Sequence, residues 1–144
     1  MKCIIDQTRK TEVRKDGIPV LRVKVTGFFT LNVELFQGSK LIFKAKHFTI
    51  AFYRSIKILY QDLPDEIELL KTNLFSFNLL FRENELSIKY KLTKAILFQN
   101  WTEIGIINYS FGRKFTEMDL QSDDENLAMY FLILYFLFNP KENK

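Results

Sequence analysis

The sequence predicts a mainly β protein: a closed antiparallel barrel of about twelve strands around a central hydrophobic C-terminal helix. Two observations carry this expectation. Residues 2–118 divide into short segments in which apolar and polar side chains alternate, separated by turn residues. That is the pattern of many half-buried strands. Then Leu127 to Phe138 form twelve consecutive apolar or aromatic residues, and a helix apolar on every side must be buried on every side or lie in lipid. A closed barrel leaves no sheet edge, and its apolar inner face matches such a helix.

Residues 2–6 form a short first strand. Thr11 to Lys15 and Pro19 to Val25 flank Asp16-Gly17, a hairpin signal because both turn positions need positive φ. In the second arm Leu21, Val23 and Val25 share one face and Arg22 and Lys24 the other. Gly27 breaks the run. Phe29, Leu31, Val33 and Leu35 then alternate with Thr30, Asn32 and Glu34, and Gln37-Gly38-Ser39 is a turn. Leu41, Phe43 and Ala45 follow, with Lys40, Lys44 and Lys46 opposite. Phe48 to Phe52 is mostly apolar, and Ile56, Ile58 and Tyr60 alternate with Lys57.

Asp62 to Asp65 is a loop, and residues 66–71 fit either a strand or a helical turn. Phe75, Phe77, Leu79 and Phe81 make an inward row, with Ser76, Asn78 and Arg82 outward. Glu83-Asn84 is a turn. Leu86, Ile88, Tyr90 and Leu92 alternate with Ser87, Lys89 and Lys91. Ala95 to Phe98, Glu103 to Tyr109 and Phe111 to Met118 complete the strands.

The helix is expected over 123–138. Ser122 and Glu125 have capping-box spacing. Asp123 and Asp124 put negative charge at the positive end of the helix dipole, and Asn139-Pro140 is a stop signal. Spanning a bilayer takes roughly 20 apolar residues, so no transmembrane span is expected. A ligand-holding barrel of lipocalin type and a helix-grip fold are the alternatives, but both carry an amphipathic helix.

The chain of 144 residues reads as one domain, 1–144. Hydrophobic residues make up 47%, enough for a sizeable core and against disorder. With one cysteine, Cys3, no internal disulfide can form. The first 20 residues hold no apolar run of the signal-peptide kind. The expectation is a cytoplasmic protein, peripheral at a membrane if it docks there. Net charge is +4 and uneven: residues 1–62 carry 12 Lys and Arg against 5 Asp and Glu, residues 63–144 carry 9 against 12. The first part therefore favours an anionic surface.

The order of strands over 2–118, followed by the capped apolar segment from Ser122 to Pro140, resembles the tubby C-terminal-like superfamily. Its members include tubby proteins, phospholipid scramblases and LURP-one-related proteins. The short chain is most similar to the LURP-one-related branch. The resemblance implies a twelve-stranded barrel closed round a hydrophobic C-terminal helix. For function it implies binding of phosphoinositide head groups by basic residues, as in tubby domains. Scramblase accessories, a cysteine-rich palmitoylation stretch and a Pro-rich N-terminus, are missing from the sequence, so scramblase activity is not expected.

Catalytic signals are sparse. His47 is the single histidine, and no Gly-x-Ser-x-Gly element accompanies it. One His and one Cys do not make a usual zinc site, and glycines 17, 27, 38, 105 and 112 are too scattered for a phosphate loop. No cofactor is expected and the chain does not read as an enzyme. Carboxylates cluster at Asp62, Asp65, Glu66 and Glu68, read as a solvated loop, and at Asp119 and 123–125, read mainly as helix capping. Trp101 and Tyr109 are expected in the core.

A basic strand face remains. Lys40, Lys44 and Lys46, then Arg54 and Lys57, with His47 adjacent and Arg22 and Lys24 preceding, form one outward stripe if their strands are neighbours. Lys89, Lys91 and Lys94 form a smaller one. The expected function is a non-catalytic module docking anionic phospholipid head groups through Lys40, Lys44, Lys46, Arg54 and Lys57. The alternative is a protein-interaction or immunity-type partner protein with no lipid ligand. Nucleic acid is disfavoured because the aromatics lie on the apolar faces, so no stacking platform interleaves the lysines.

Overall fold

The computed structural model describes residues 1–8, 10–50, 53–72, 76–108 and 115–138. Its strands are β1 (Lys2–Asp6), β2 (Thr11–Lys15), β3 (Ile18–Thr26), β4 (Thr30–Gln37), β5 (Lys40–Ile50) and β6 (Tyr53–Gln61). Then come β7 (Ile67–Lys71), β8 (Phe77–Phe81), β9 (Asn84–Tyr90), β10 (Lys94–Gln99), β11 (Thr102–Asn108) and β12 (Phe115–Leu120). One helix, α1 (Glu125–Phe138), follows. The ambiguous 66–71 segment is a strand.

All twelve strands belong to one antiparallel sheet in the order β6-β5-β4-β3-β2-β1-β12-β11-β10-β9-β8-β7. Each strand pairs with its sequence neighbour except where β1 meets β12 and where β6 and β7 form the two edges. The backbone hydrogen bonding therefore stops short of the closed barrel expected. Across the seam between these two edges, the Gln61 side-chain amide donates to the Ile67 carbonyl at 3.1 Å and accepts from the Ile67 N–H at 2.8 Å. At the other end of the seam the Lys71 ammonium lies 4.9 Å from the centre of the Tyr53 ring.

Every residue from Leu127 to Phe138 is buried. The helix touches β4 in one half of the sheet and β8 and β9 in the other. The strands turn alternate residues towards it. Cys3 and Ile5, Leu21 and Val23, Val33 and Leu35, and Phe77, Leu79 and Phe81 are all buried in this one core. Burying a side chain of this size contributes about 1.5–3 kcal/mol, which explains why the helix needs no polar face.

The helix start differs from the capping box expected. Asp124 is the cap: its Oδ1 accepts from the N–H groups of Asn126 at 3.0 Å and Leu127 at 3.3 Å. Ser122 instead accepts from the Asp124 N–H at 3.1 Å, and Glu125 pairs with Lys15 at 2.9 Å. Tyr130 ties the helix to the β6–β7 connection, its hydroxyl accepting from the Asp65 N–H at 2.8 Å and donating to the Asp65 carbonyl at 3.3 Å. The stop signal at 139–140 lies outside the described residues.

Among the described residues four hairpins use left-handed turn residues. Gly38, with φ of 61°, joins β4 to β5 as expected. Asp16-Gly17, with φ of 53° and 77°, joins β2 to β3 as expected. Arg82-Glu83, rather than Glu83-Asn84, joins β8 to β9, with Arg82 at φ 51°. Asn100-Trp101 joins β10 to β11 with φ of 49° and 69°. Because strands alternate in direction, their connections sort to two ends. The start of α1 shares one end with the hairpins at 16–17, 82–83 and 100–101. The finish of α1, at Phe138, shares the other with the connections after β3, β5 and β9.

Candidate functional site: a basic outer face on β5 and β6

Register decides which basic side chains meet. On β5, Lys46 stands opposite Lys57 of β6 and Asn32 of β4. Two residues along the same face, Lys44 stands opposite Tyr60 on one side and Glu34 on the other. Glu34 in turn faces Lys24 of β3. Lys24, Lys44, Lys46 and Lys57 thus share one outer face, with Glu34 as the carboxylate among them. Directly opposed like charges on neighbouring strands destabilise a sheet, so Lys46 and Lys57 are placed against the interest of stability.

Lys40 and Arg54 do not join them. The pairs Leu35↔Phe43 and Phe36↔Leu41 leave Ile42 as an extra residue in β5. Such a bulge inverts the alternation beyond it. Lys40 is therefore out of phase with Lys44, opposite Gln37, and pairs with Asp62 at 2.8 Å. Its pKa is raised, first by the hydrogen bond to Asp62 and then by that carboxylate's charge. Arg54 stands opposite Thr49, in phase with the inward His47 and Ala45. Its guanidinium carbon lies 5.5 Å from the centre of the Phe138 ring. It belongs to the finish of the helix, where Phe77 and Tyr90 also meet Phe138 at 6.0 Å and 6.2 Å.

His47, expected beside the stripe, is 5% exposed and faces inward. Arg22 lies over the Phe36 ring at 4.7 Å on the outer face. Of the smaller stripe, Lys89 stands opposite Ile96, while the Lys91 N–H bonds to the Lys94 carbonyl at 2.8 Å in the β9–β10 connection. The Cys3 thiol is pushed above its ordinary pKa, chiefly by burial, which keeps it protonated and poorly nucleophilic at neutral pH.

Among the described residues no group of three His, Cys, Asp or Glu side chains is placed to hold a metal ion. A cleft of about 110 Å³ opens between Met1, Lys15, Val20, Gln37 and the first turns of the helix, smaller than ordinary small-molecule sites. Among the described residues no helix is long and apolar enough to cross a membrane.

Several exposed apolar side chains were not legible as such. Trp101, expected in the core, is 70% exposed at a hairpin tip. Phe29 has the alternation of an inward strand residue, yet β4 begins at Thr30 and both Phe28 and Phe29 are 78% exposed. Gly27 sets this geometry: at φ 105°, a Cβ there would stand 2.1 Å from the Thr30 carbonyl oxygen. Leu92, read as the last inward residue of its strand, lies beyond β9 and is 90% exposed. Asn78, expected to point outward, is buried and donates to Glu85 at 2.9 Å. The strand reading of Phe75 and the core reading of Tyr109 fall outside the described residues. Compared with known proteins, the chain matches no family model, no curated protein and no solved structure.

Proposed function

We propose that this protein is a non-catalytic module that docks on anionic phospholipid head groups through Lys44, Lys46 and Lys57, with Lys24 at the margin. The observation that carries the reading is the opposition of Lys46 and Lys57 across β5 and β6. Among the described residues neither has a carboxylate within ion-pair distance. A phosphate between them would relieve their repulsion and take charge-assisted hydrogen bonds from both. Lysines near an anionic leaflet each add to attraction that fades within a Debye length.

The tubby-like resemblance belongs to the same proposal. Its supports are twelve antiparallel strands, a wholly buried C-terminal helix and an outer basic face. In this reading the barrel closes through side chains at the β6–β7 seam, with Gln61 and the Lys71–Tyr53 contact standing in for a ladder.

The test is co-sedimentation of the full chain with phosphatidylcholine vesicles, with and without phosphatidylserine or phosphoinositide, at low and high salt. Binding to the anionic vesicles alone, weakened by salt and lost in Lys44→Glu/Lys46→Glu/Lys57→Glu, is the expected result. Equal binding by the triple variant, or none by the parent protein, rejects the reading. A protein partner is the second reading. The observation favouring it is the set of exposed apolar side chains at Ile50 of β5 and at Tyr53, Leu59 and Tyr60 of β6, since exposed apolar groups gathered on a surface mark an interaction site.

A further inference from the structure

The two ends of the molecule differ in chemistry. At the end where α1 starts stand Asp16, Asp62, Asp65, Glu66, Glu83 and the carboxylates 123–125. Lys15, Lys40 and Arg82 pair there with Glu125, Asp62 and Asp65, and Ile18 and Trp101 are exposed at the same end. At the end where α1 finishes, exposed apolar side chains are more numerous. Phe28 and Phe29 project from the β3–β4 connection at 78% exposure each, their rings 5.0 Å apart edge to face. Ile50 and Tyr53 flank the next connection at that end and are 58% and 53% exposed. Leu92 follows from the β9–β10 connection at 90%, and Phe115 starts β12 at 56%. Exposed apolar groups gathered on one part of a surface mark an interaction site.

Charge indicates what covers this end. Lys71 and Lys89 lie in the strands that reach it, and Lys24 and Lys46 stand on the outer faces of β3 and β5 behind Phe28, Phe29 and Ile50. Apolar tips backed by lysines match a bilayer interface, where hydrocarbon begins just below anionic head groups. The carboxylate-rich end would be repelled by the same surface. From this polarity we infer that the protein seats end-on in an anionic bilayer: Phe28, Phe29, Ile50 and Leu92 enter the acyl boundary, and α1 runs towards the membrane with its start outermost. This rests on the lipid-docking reading and adds to it an apolar anchor and an orientation.

Trp101, the only tryptophan, lies at the opposite end and provides the control. The experiment follows tryptophan emission together with co-sedimentation on phosphatidylcholine–phosphatidylserine vesicles, with brominated phosphatidylcholine as quencher. In the parent protein, Trp101 emission should stay unshifted and unquenched while the protein binds. In a Trp101→Phe background, Phe28→Trp and Leu92→Trp should each shift to the blue and be quenched by the brominated lipid. Phe28→Ser/Phe29→Ser should lower vesicle partitioning roughly tenfold. Binding with quenched Trp101, or with neither reporter moved, overturns the end-on seat while leaving head-group docking standing. A blue shift that needs no vesicles and grows with protein concentration assigns this end to a second copy and overturns the seat. No binding to the vesicles rejects docking and seat together.

Discussion

The side chain of Gln61 occupies the place of a peptide group opposite Ile67, taking both its N–H and its carbonyl in hydrogen bonds of 2.8 Å and 3.1 Å. One side chain thus links the two edge strands of a twelve-stranded sheet. Ile67 is 4% exposed, so its backbone groups have little recourse to water once the amide is removed. Gln61→Leu should lower unfolding free energy by about 1–3 kcal/mol, read as a shift of the urea midpoint. Gln61→Glu keeps the acceptor but loses the donor and should fall between. Hydrogen exchange at the Ile67 amide should quicken in both variants. An unchanged midpoint with unchanged exchange would show that the seam is held elsewhere.

Asp124 and Ser122 compete for the role of helix cap, and geometry assigns it to Asp124. The aspartate oxygen meets two of the free amides at the start of α1 and adds charge favourable to the dipole. Asp124→Ala should cost about 1 kcal/mol, and Asp124→Asn should restore most of it. Ser122→Ala removes only the bond to the Asp124 amide and should cost less. Thermal or urea unfolding of the three variants checks the ranking, and a larger loss from Ser122→Ala than from Asp124→Ala would reverse the assignment.

The strands were legible where alternation ran unbroken, as at Leu31, Val33 and Leu35, because a side-chain period of two is set by the pleat. Bulges interrupted that logic without any mark in residue type. Ile42 and Leu59, the extra residues of β5 and β6, are as apolar as their neighbours. Lys40 consequently read as sharing a face with Lys44, and Tyr60 as sharing one with Ile58. Arg54 escaped for a different reason: it is a charged residue in an inward register, where the Phe138 ring accepts the guanidinium against it. The buried helix was legible from its own composition. Its cap was misplaced by two residues because Ser, Asp and Asp in sequence all favour the position.

The same burial that protects Tyr130 makes the fold sensitive to alkali. Its hydroxyl bonds to both backbone groups of Asp65, and its pKa is raised above the ordinary 10, chiefly by burial. A phenol with a higher pKa when folded keeps its stabilising contribution below about pH 10. Above that pH the unfolded chain ionises while the folded chain does not, so stability falls as pH rises. Cys3, also raised by burial from its ordinary 9, adds a loss that starts about one unit lower. Tyr130→Phe should cost about 1–2 kcal/mol at neutral pH through the lost hydrogen bonds. It should also flatten the decline above pH 10 in urea midpoints taken across the alkaline range. A parallel decline in parent and variant would remove Tyr130 as the cause.

Lys46 and Lys57 set stability against binding. They stand opposite one another on the outer face of β5 and β6, and opposed like charges weaken a strand pair. Lys57→Glu converts the repulsion to attraction. It should raise the unfolding free energy by a few tenths of a kcal/mol, about the worth of an exposed pair, with the gain shrinking as salt is added. The same change should lower partitioning onto phosphatidylserine vesicles several-fold, since a lysine beside an anionic leaflet contributes about 1 kcal/mol and a glutamate opposes it. Lys57→Gln should lie between the two in both measurements. Higher stability with weaker vesicle binding is what a docking face predicts. Higher stability with unaltered binding would mean that the lysines serve solvation alone, and the lipid surface would have to be met elsewhere on the molecule.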